Sequence, residues 1–364
     1  MWIIVGTTLL VAGLLSAILT PWMAHVALAR GVMDRPSPRK VHHRPVPRLG
    51  GVAVFLGWLA AVGVAGVLGM TPDANFLSRA TPLLLLGAGA MLFGLWDDAT
   101  GLSGRRKLLM QMLLGTLVAV SGLRIDRLSN PLGGELLLPW ALSVGMTILW
   151  VVGMMNAMNL IDGLDGLATG VAMIAALGLV MVGLLTGRET SVVIFAALAG
   201  SCAGFLLYNF PPARIFLGDA GSQFLGFMFA AASLIDDQYK AATAATLLVP
   251  LTTLALPVFD VALAILRRLR GRHSVFQADK HHLHHRLLKM GLSQRRVVLF
   301  CYLISVYFGC LAFLFVLIPS QYAMMLLVVI LLGLLMAIQT LRFIELKLRQ
   351  FYRRTRRPTA RASA

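Results

Sequence analysis

Only 15 of the 364 residues are Asp or Glu, and charged residues of either sign make up 13%. A soluble globular domain carries charge on about a quarter of its residues, so an ordinary water-soluble globule is excluded. Cysteine is equally sparse. Cys202, Cys301 and Cys310 have neither the spacing of a zinc site nor that of a disulfide framework, and all three sit in apolar stretches as small hydrophobes. The start of the chain, Met1-Trp-Ile-Ile-Val, lacks the positive segment of a cleaved signal, so its long apolar run is expected to persist as a first helix. No linker separates a soluble domain from an apolar one, and no internal repeat stands out.

What the chain has in abundance is hydrophobic sequence, 58% by composition with a mean hydropathy of +0.82. Charge-poor stretches lie near 1–24, 50–70, 81–96, 107–121, 138–155, 167–186, 191–208, 223–235, 242–265, 298–317 and 322–341. Their lengths predict an all-α integral membrane protein, a polytopic bundle of about 11 transmembrane helices. The fourth and eighth are short and are expected to be tilted or re-entrant. Residues 123–138, around Asn130-Pro-Leu-Gly-Gly134, predict a small periplasmic β-hairpin. The Gly and Ala content fits close helix packing.

Lys and Arg then set the orientation. With the N-terminus outside, the inward segments 30–48, 97–107, 209–222, 266–297 and 342–364 hold 27 of the 32 basic residues. That asymmetry predicts a cytoplasmic C-terminus and a multi-pass membrane protein, with residues 1–342 as the transmembrane domain and 343–364 as a basic tail. The formal charge of +17 therefore points to anionic lipid headgroups and phosphate, not to nucleic acid.

This topology used only apolar stretches and basic residues, yet it gathers the acidic and imidazole side chains at one face. Asp97 and Asp98 adjoin at the end of a span, where two carboxylates repel unless a cation or a proton relieves them. Behind them Gly101-Leu-Ser-Gly-Arg105-Arg-Lys107 offers three cations suited to a diphosphate. Asn156, Asn159, Asp162 and Asp165 recur every third residue, so on an ideal helix each step slips by about 60°. Gly163 and Gly166 therefore suggest a broken or tightened helix that lets these groups converge, within an inward segment 156–166. Four polar residues inside ten cannot all face lipid cheaply.

In Phe210-Pro-Pro-Ala-Arg214-Ile-Phe216-Leu-Gly-Asp219-Ala-Gly-Ser222, Asp219 lies between small residues, and Ser222 is expected to cap the next helix. Phe216 suits either a nucleobase stack or a headgroup anchor. A hard divalent cation prefers oxygen, so these carboxylates with diphosphate oxygens suit Mg²⁺. His281, His282, His284 and His285 lack zinc spacing and instead suit phosphate oxygens or loop ordering. Asp260 pairs with Arg267 or Arg268, or serves the chemistry; its position leaves both open.

Together these motifs resemble the polyprenyl-phosphate N-acetylhexosamine-1-phosphate transferases. The resemblance rests on Asp34-Arg-Pro-Ser-Pro-Arg-Lys40-Val-His42, Pro47-Arg-Leu-Gly-Gly51, Asp97-Asp98, residues 156–167, Gly218-Asp-Ala-Gly-Ser222 and His281-His-Leu-His-His285, in order along nearly the whole chain. The loops 39–51 and 280–286 look most like the branch that takes UDP-N-acetylglucosamine and undecaprenyl phosphate at the start of lipopolysaccharide or teichoic-acid-type glycans.

By that resemblance Asp219 is the Mg²⁺ ligand with Asp98 nearby, Mn²⁺ being a possible substitute. Asp97 orients the acceptor phosphate, while Asn156 and Asp162 organise the diphosphate region. Asp165, Asn209 and Phe216 fall where the family handles uridine. Lys40, Arg105, Asn159, Arg214, Arg270, Arg272 and the His cluster contact phosphate or sugar. A homodimer is common in the family. The acceptor phosphate attacks the β-phosphorus and expels UMP, either directly or through an aspartyl-phosphate on Asp97 or Asp98. Competing readings are a donor carrying N-acetylgalactosamine or muramoyl-pentapeptide, and a polytopic transporter, which would place its polar groups at mid-membrane.

Overall fold

The computed structural model describes residues 1–36, 44–69, 71, 73–129, 135–235 and 290–318, with isolated positions between 251 and 288 and between 322 and 328. Its helices are α1 (Trp2–Arg30), α2 (Gly50–Val67), α3 (Phe76–Thr100), α4 (Gly104–Val120), α5 (Trp140–Ile161), α6 (Leu167–Thr186), α7 (Glu189–Asn209), α8 (Gly218–Ala232) and α9 (Gln294–Leu317). Each follows an expected apolar stretch. The expected spans 242–265 and 322–341, Asp260, and the tail 343–364 lie outside the described residues.

Among the described residues seven helices (α1, α2, α3, α5, α6, α7 and α9) are long and apolar enough to cross a membrane. The remaining two are α4, with 17 residues, and α8, with 15. At 1.5 Å per residue α8 reaches about 22 Å, short of a hydrocarbon core of about 30 Å. It is not a lipid-facing span. Every residue of α8 is buried except Asp219, with α3 and α5 against its flanks and α2 beside them.

The residues of α8 explain that position. Phe224 meets Phe55 and Trp58 of α2 edge-on at 5.3 Å, and Phe229 stacks on Phe195 of α7 at 5.9 Å. The polar edges of the surrounding aromatics are satisfied by backbone. Trp150 Nε1 donates to Ala230 O at 3.1 Å and Trp58 Nε1 to Ile194 O at 3.2 Å. A second dense seam joins α1 to α7 through Gly13, Gly200 and Gly204. A Cβ on Gly204 would stand 3.0 Å from the Ala17 nitrogen, so only glycine permits that approach.

Gly94 of α3 does the same beside the first turn of α8. A Cβ there would lie 2.5 Å from Ala220 Cα and 2.6 Å from the Asp219 carbonyl carbon, and backbone cannot swing aside. Gly94→Ala is therefore expected to destabilise the detergent-purified protein by about 1–3 kcal/mol through overpacking. Thermal unfolding checks it; an unchanged melting temperature would contradict the packing described.

The described residues also form two short antiparallel ladders. Met33 pairs with Pro47 and Asp34 with Val46. Residues Arg127–Ser129 pair with Glu135–Leu137, so the hairpin region expected near 130 does form paired strands. At that end of the bundle Asp73 accepts from Thr190 Oγ1 at 2.9 Å and pairs with Arg79 at 2.9 Å, tying the α2–α3 turn to α7.

Candidate active site

The opposite end collects the termini of many helices. There α1, α3, α5 and α7 finish and α2, α4, α6 and α8 begin. The joints are tight: only Gly101–Ser103 separates α3 from α4. Asp97 and Asp98 accordingly lie in the last turn of α3, not in a loop. Asn156 and Asn159 lie within α5, which runs unbroken to Ile161; the break expected at Gly163 and Gly166 falls across 162–166, where Gly166 takes a φ of +71°. Ser222 is likewise inside α8 and does not cap it.

The first ladder delivers a residue that sequence reasoning left unassigned. Phe216 N donates to Pro47 O at 2.8 Å, Gly50 N to Phe216 O at 3.0 Å and Gly51 N to Leu217 O at 2.8 Å. This zipper lays Pro47–Gly51 along the entry to α8 and aims Arg48 at its first turn. Arg48 Nε pairs with Asp98 Oδ1 at 2.9 Å and its guanidinium with Asp219 Oδ2 at 3.2 Å. Burial works against the Arg48 charge, but Asp98, Asp219, Asp34 and Asp162 outweigh it, so its pKa is raised.

Lys107, in the first turn of α4, is the second central cation. Its Nζ pairs with Asp97 Oδ2 and lies 3.5 Å from Asp219 Oδ2. Arg105, which the sequence favoured, is exposed and outside this cluster. The reason is helical phase: two residues turn the side chain by about 200°, to the far side of α4.

The carboxylates divide by exposure. Asp98 is fully enclosed, its side chain 0% exposed, while Asp219 is 16% exposed. Asp98 Oδ1 accepts the Asp219 N–H at 2.8 Å and Oδ2 the Ala220 N–H at 2.9 Å. It thus caps α8 from another helix, supplying acceptor and negative charge to orphan N–H groups. Asp97 Oδ1 accepts the Leu102 N–H at 2.9 Å and closes the α3–α4 turn. Asp219 Oδ1 accepts from Asn159 Nδ2 at 2.6 Å, and Asn159 also reaches Ser222 Oγ at 3.0 Å.

Asp162 follows α5 immediately, half-buried and facing Asp219, Arg48, Asp98 and Asp165. Burial first, then the charge of Asp219, raises its carboxyl well above the ordinary range. Among the described residues no hydrogen-bond donor reaches it. Asp97, Asp98, Asp162 and Asp219 together face Arg48 and Lys107, which leaves two formal negative charges when all are ionised.

Among the described residues no three His, Cys, Asp or Glu side chains form a cage able to hold an ion alone. Two accessible carboxylates with excess negative charge instead fit the habit of Mg²⁺, which takes one or two carboxylates and completes its shell with water and phosphate oxygens.

A second cluster flanks the first. Asn209 is buried and fully engaged: Oδ1 accepts the Gly166 N–H at 3.1 Å and Thr169 Oγ1 at 2.9 Å, while Nδ2 donates to Ile215 O at 2.9 Å. These bonds fasten the 209–215 segment to the start of α6. Asp165 Oδ2 accepts the Ala213 N–H at 3.0 Å. Arg214 is exposed and Phe216 half-buried at the edge of this segment. From α9, Arg295 Nε donates to Pro211 O at 2.8 Å and Tyr302 OH to Gly166 O at 2.6 Å. Lys40, Arg270, Arg272, His281, His282, His284 and His285 lie outside the described residues.

The chain matches glycosyl transferase family 4 over residues 80–237, which contain Asp97, Asp98, Lys107, Asn159, Asp162 and Asp219. It is 38% identical over 293 residues to a probable undecaprenyl-phosphate N-acetylglucosaminyl 1-phosphate transferase of Bacillus subtilis, covering 80% of this chain and 79% of the relative. The chain belongs to the polyprenyl-phosphate N-acetylhexosamine-1-phosphate transferases. It is also 40% identical over 320 residues to the decaprenyl-phosphate N-acetylglucosaminephosphotransferase of Mycobacterium tuberculosis, covering 81% of this chain and 79% of the relative. Similarity extends to a phospho-N-acetylmuramoyl-pentapeptide-transferase of Desulforudis audaxviator, 32% identical over 314 residues, with 81% of this chain and 91% of the relative covered.

Proposed function

We propose that this protein transfers N-acetylglucosamine 1-phosphate from UDP-N-acetylglucosamine to undecaprenyl phosphate, releasing UMP. The observation that carries the reading is Asp219: the one residue of a buried helix that opens outward, held between Arg48, Lys107 and Asn159. Such a cluster suits phosphoryl transfer, where alignment and charge neutralisation outweigh acid–base chemistry. The higher identity to the two N-acetylglucosamine relatives above than to the muramoyl-pentapeptide one favours the smaller donor.

An acceptor phosphate is already largely ionised near neutrality, with a second pKa of about 6. Its oxygen attacks the β-phosphorus of the donor, and the bond from that phosphorus to the UMP oxygen breaks. Lys107, steadied by Asp97, and Arg48, steadied by Asp98, bind the phosphate oxygens and hold the two substrates in line. Direct displacement is favoured over an aspartyl-phosphate, because Asp97 and Asp98 are enclosed and their oxygens already accept hydrogen bonds or ion pairs. Mg²⁺ held by Asp219 and Asp162 would screen the diphosphate and the charge growing on the leaving UMP. The segment from Asp165 through Phe216, fastened by Asn209, would take the nucleoside.

With the N-terminus outside, this end of the bundle faces the cytoplasm, where the nucleotide sugar is met, and the acceptor's tail stays in the bilayer. UMP release by the detergent-purified protein tests the whole reading. Turnover is expected with UDP-N-acetylglucosamine, undecaprenyl phosphate and Mg²⁺ together, and loss to background when EDTA removes the metal. Turnover of UDP-muramoyl-pentapeptide in its place, or full activity in EDTA, would defeat the donor or the metal assignment respectively.

A further inference from the structure

One helical turn deeper than the ionic cluster lies a second polar layer, made entirely of amides. Gln111 Nε2 donates to Gln223 Oε1 at 3.0 Å, and Asn156 Nδ2 donates to Gln111 Oε1 at 2.6 Å and to Val152 O at 2.8 Å. Gln111 is 1% exposed and Gln223 0%. The register is what singles these residues out. Gln111 follows Lys107 by four on α4, Gln223 follows Asp219 by four on α8, and Asn156 precedes Asn159 by three on α5. Residues three or four apart share a helix face. Each amide therefore stands directly beneath one member of the Lys107–Asp219–Asn159 group, and the three amides join the same three helices.

Stability alone does not account for this layer. Gln223 Nε2 is buried with no hydrogen-bond partner among the described residues. A buried donor left unmade is costly, and an apolar pair of the same size would avoid it. Directional bonds do one thing that apolar packing does not: they fix how far each helix is rotated and shifted against its neighbours. A slip of one residue on α4 would swing Lys107 by about 100° and out of reach of Asp97 and Asp219.

We infer that Gln111 and Gln223 are positioning residues, which hold Lys107 and Asp219 in mutual register from one turn below. The phosphotransfer role of those two side chains rests on the function proposed above; the positioning itself does not.

The test is the double substitution Gln111→Met with Gln223→Met, which removes the bonded pair and the unmatched donor together and leaves Asn156 Nδ2 its bond to Val152 O, so that folding is retained. Lys107 is then probed by acetylation with a water-soluble amine reagent in detergent, followed by peptide mass spectrometry. A lysine held between two carboxylates reacts slowly. The variant is expected to acetylate Lys107 at least fivefold faster, with the melting temperature unchanged. Its kcat for UMP release is expected to fall about tenfold, with little change in KM for the donor, because the groups are present but misaligned.

Lys107 labelling within twofold of wild type overturns the inference, whether or not turnover falls. If wild-type protein shows no transferase activity, the phosphotransfer reading fails, while the labelling comparison still decides the positioning. Should the double variant not fold, Gln223→Met alone, which deletes the unmatched donor and takes the acceptor from Gln111 Nε2, is held to the same labelling criterion.

Discussion

Asp219→Ala is expected to lower UMP release by roughly a thousandfold while leaving the protein folded. The asymmetry follows from its neighbours. Without the Asp219 carboxylate, Arg48 still has Asp98 and Lys107 still has Asp97. Both cations are partly solvated, with side chains 31% and 26% exposed, so neither is stranded. The change in melting temperature should stay small, as for other partly exposed pairs. The reaction, in contrast, loses the outward-facing carboxylate of the cluster, and Asn159 loses the acceptor that orients it. Residual activity within tenfold of wild type would remove Asp219 from the centre of the proposal.

Asp98→Asn should give the opposite signature, a failure of the scaffold. The side chain is wholly enclosed and accepts three donors: the Asp219 and Ala220 N–H groups and Arg48 Nε. An asparagine offers one oxygen. Its NH₂ would confront a backbone N–H or the guanidinium, and the negative charge at the start of α8 would vanish. Losing one partner of a buried, hydrogen-bonded ion pair costs about 3–5 kcal/mol. Thermal and denaturant unfolding in detergent should both move by that order, and turnover should collapse with the first turn of α8. A variant as stable as wild type would mean that Asp98 does not cap the helix.

The contrast shows where sequence was enough. Two adjacent aspartates and a lone Asp219 in apolar surroundings stand out by the cost of burying charge, and that cost does not depend on knowing the fold. The described spans were legible for the same reason, including the short lengths of α4 and α8. Roles within a cluster were not. Arg105, Arg106 and Lys107 are equivalent as letters, and only the start of α4 at Gly104 fixes which of them turns toward Asp97. Arg48 is set by a strand pairing to Met33–Asp34 and by a zipper to Phe216–Leu217, the zipper joining segments more than 160 residues apart.

The Asn156–Asp165 repeat was legible in part. Gly163 and Gly166 marked the break, which follows Ile161, but convergence is partial because the slip becomes depth: Asn156 meets Gln111, Asn159 meets Asp219, and the two aspartates follow beyond the helix end. A signal for the deeper layer was present. Glutamines four residues beyond Lys107 and Asp219, each alone on an apolar helix, form polar stripes that only make sense when paired.

A helix that begins at a phosphate site normally offers its first N–H groups to the anion. In α8 the N–H groups of Asp219 and Ala220 are already bound to Asp98. For inhibitor chemistry this means that a neutral isostere of diphosphate, relying on acceptors aimed at backbone, meets no free donor at those two positions. Compounds that keep formal negative charge face the two cations that this end of the bundle presents, Arg48 and Lys107.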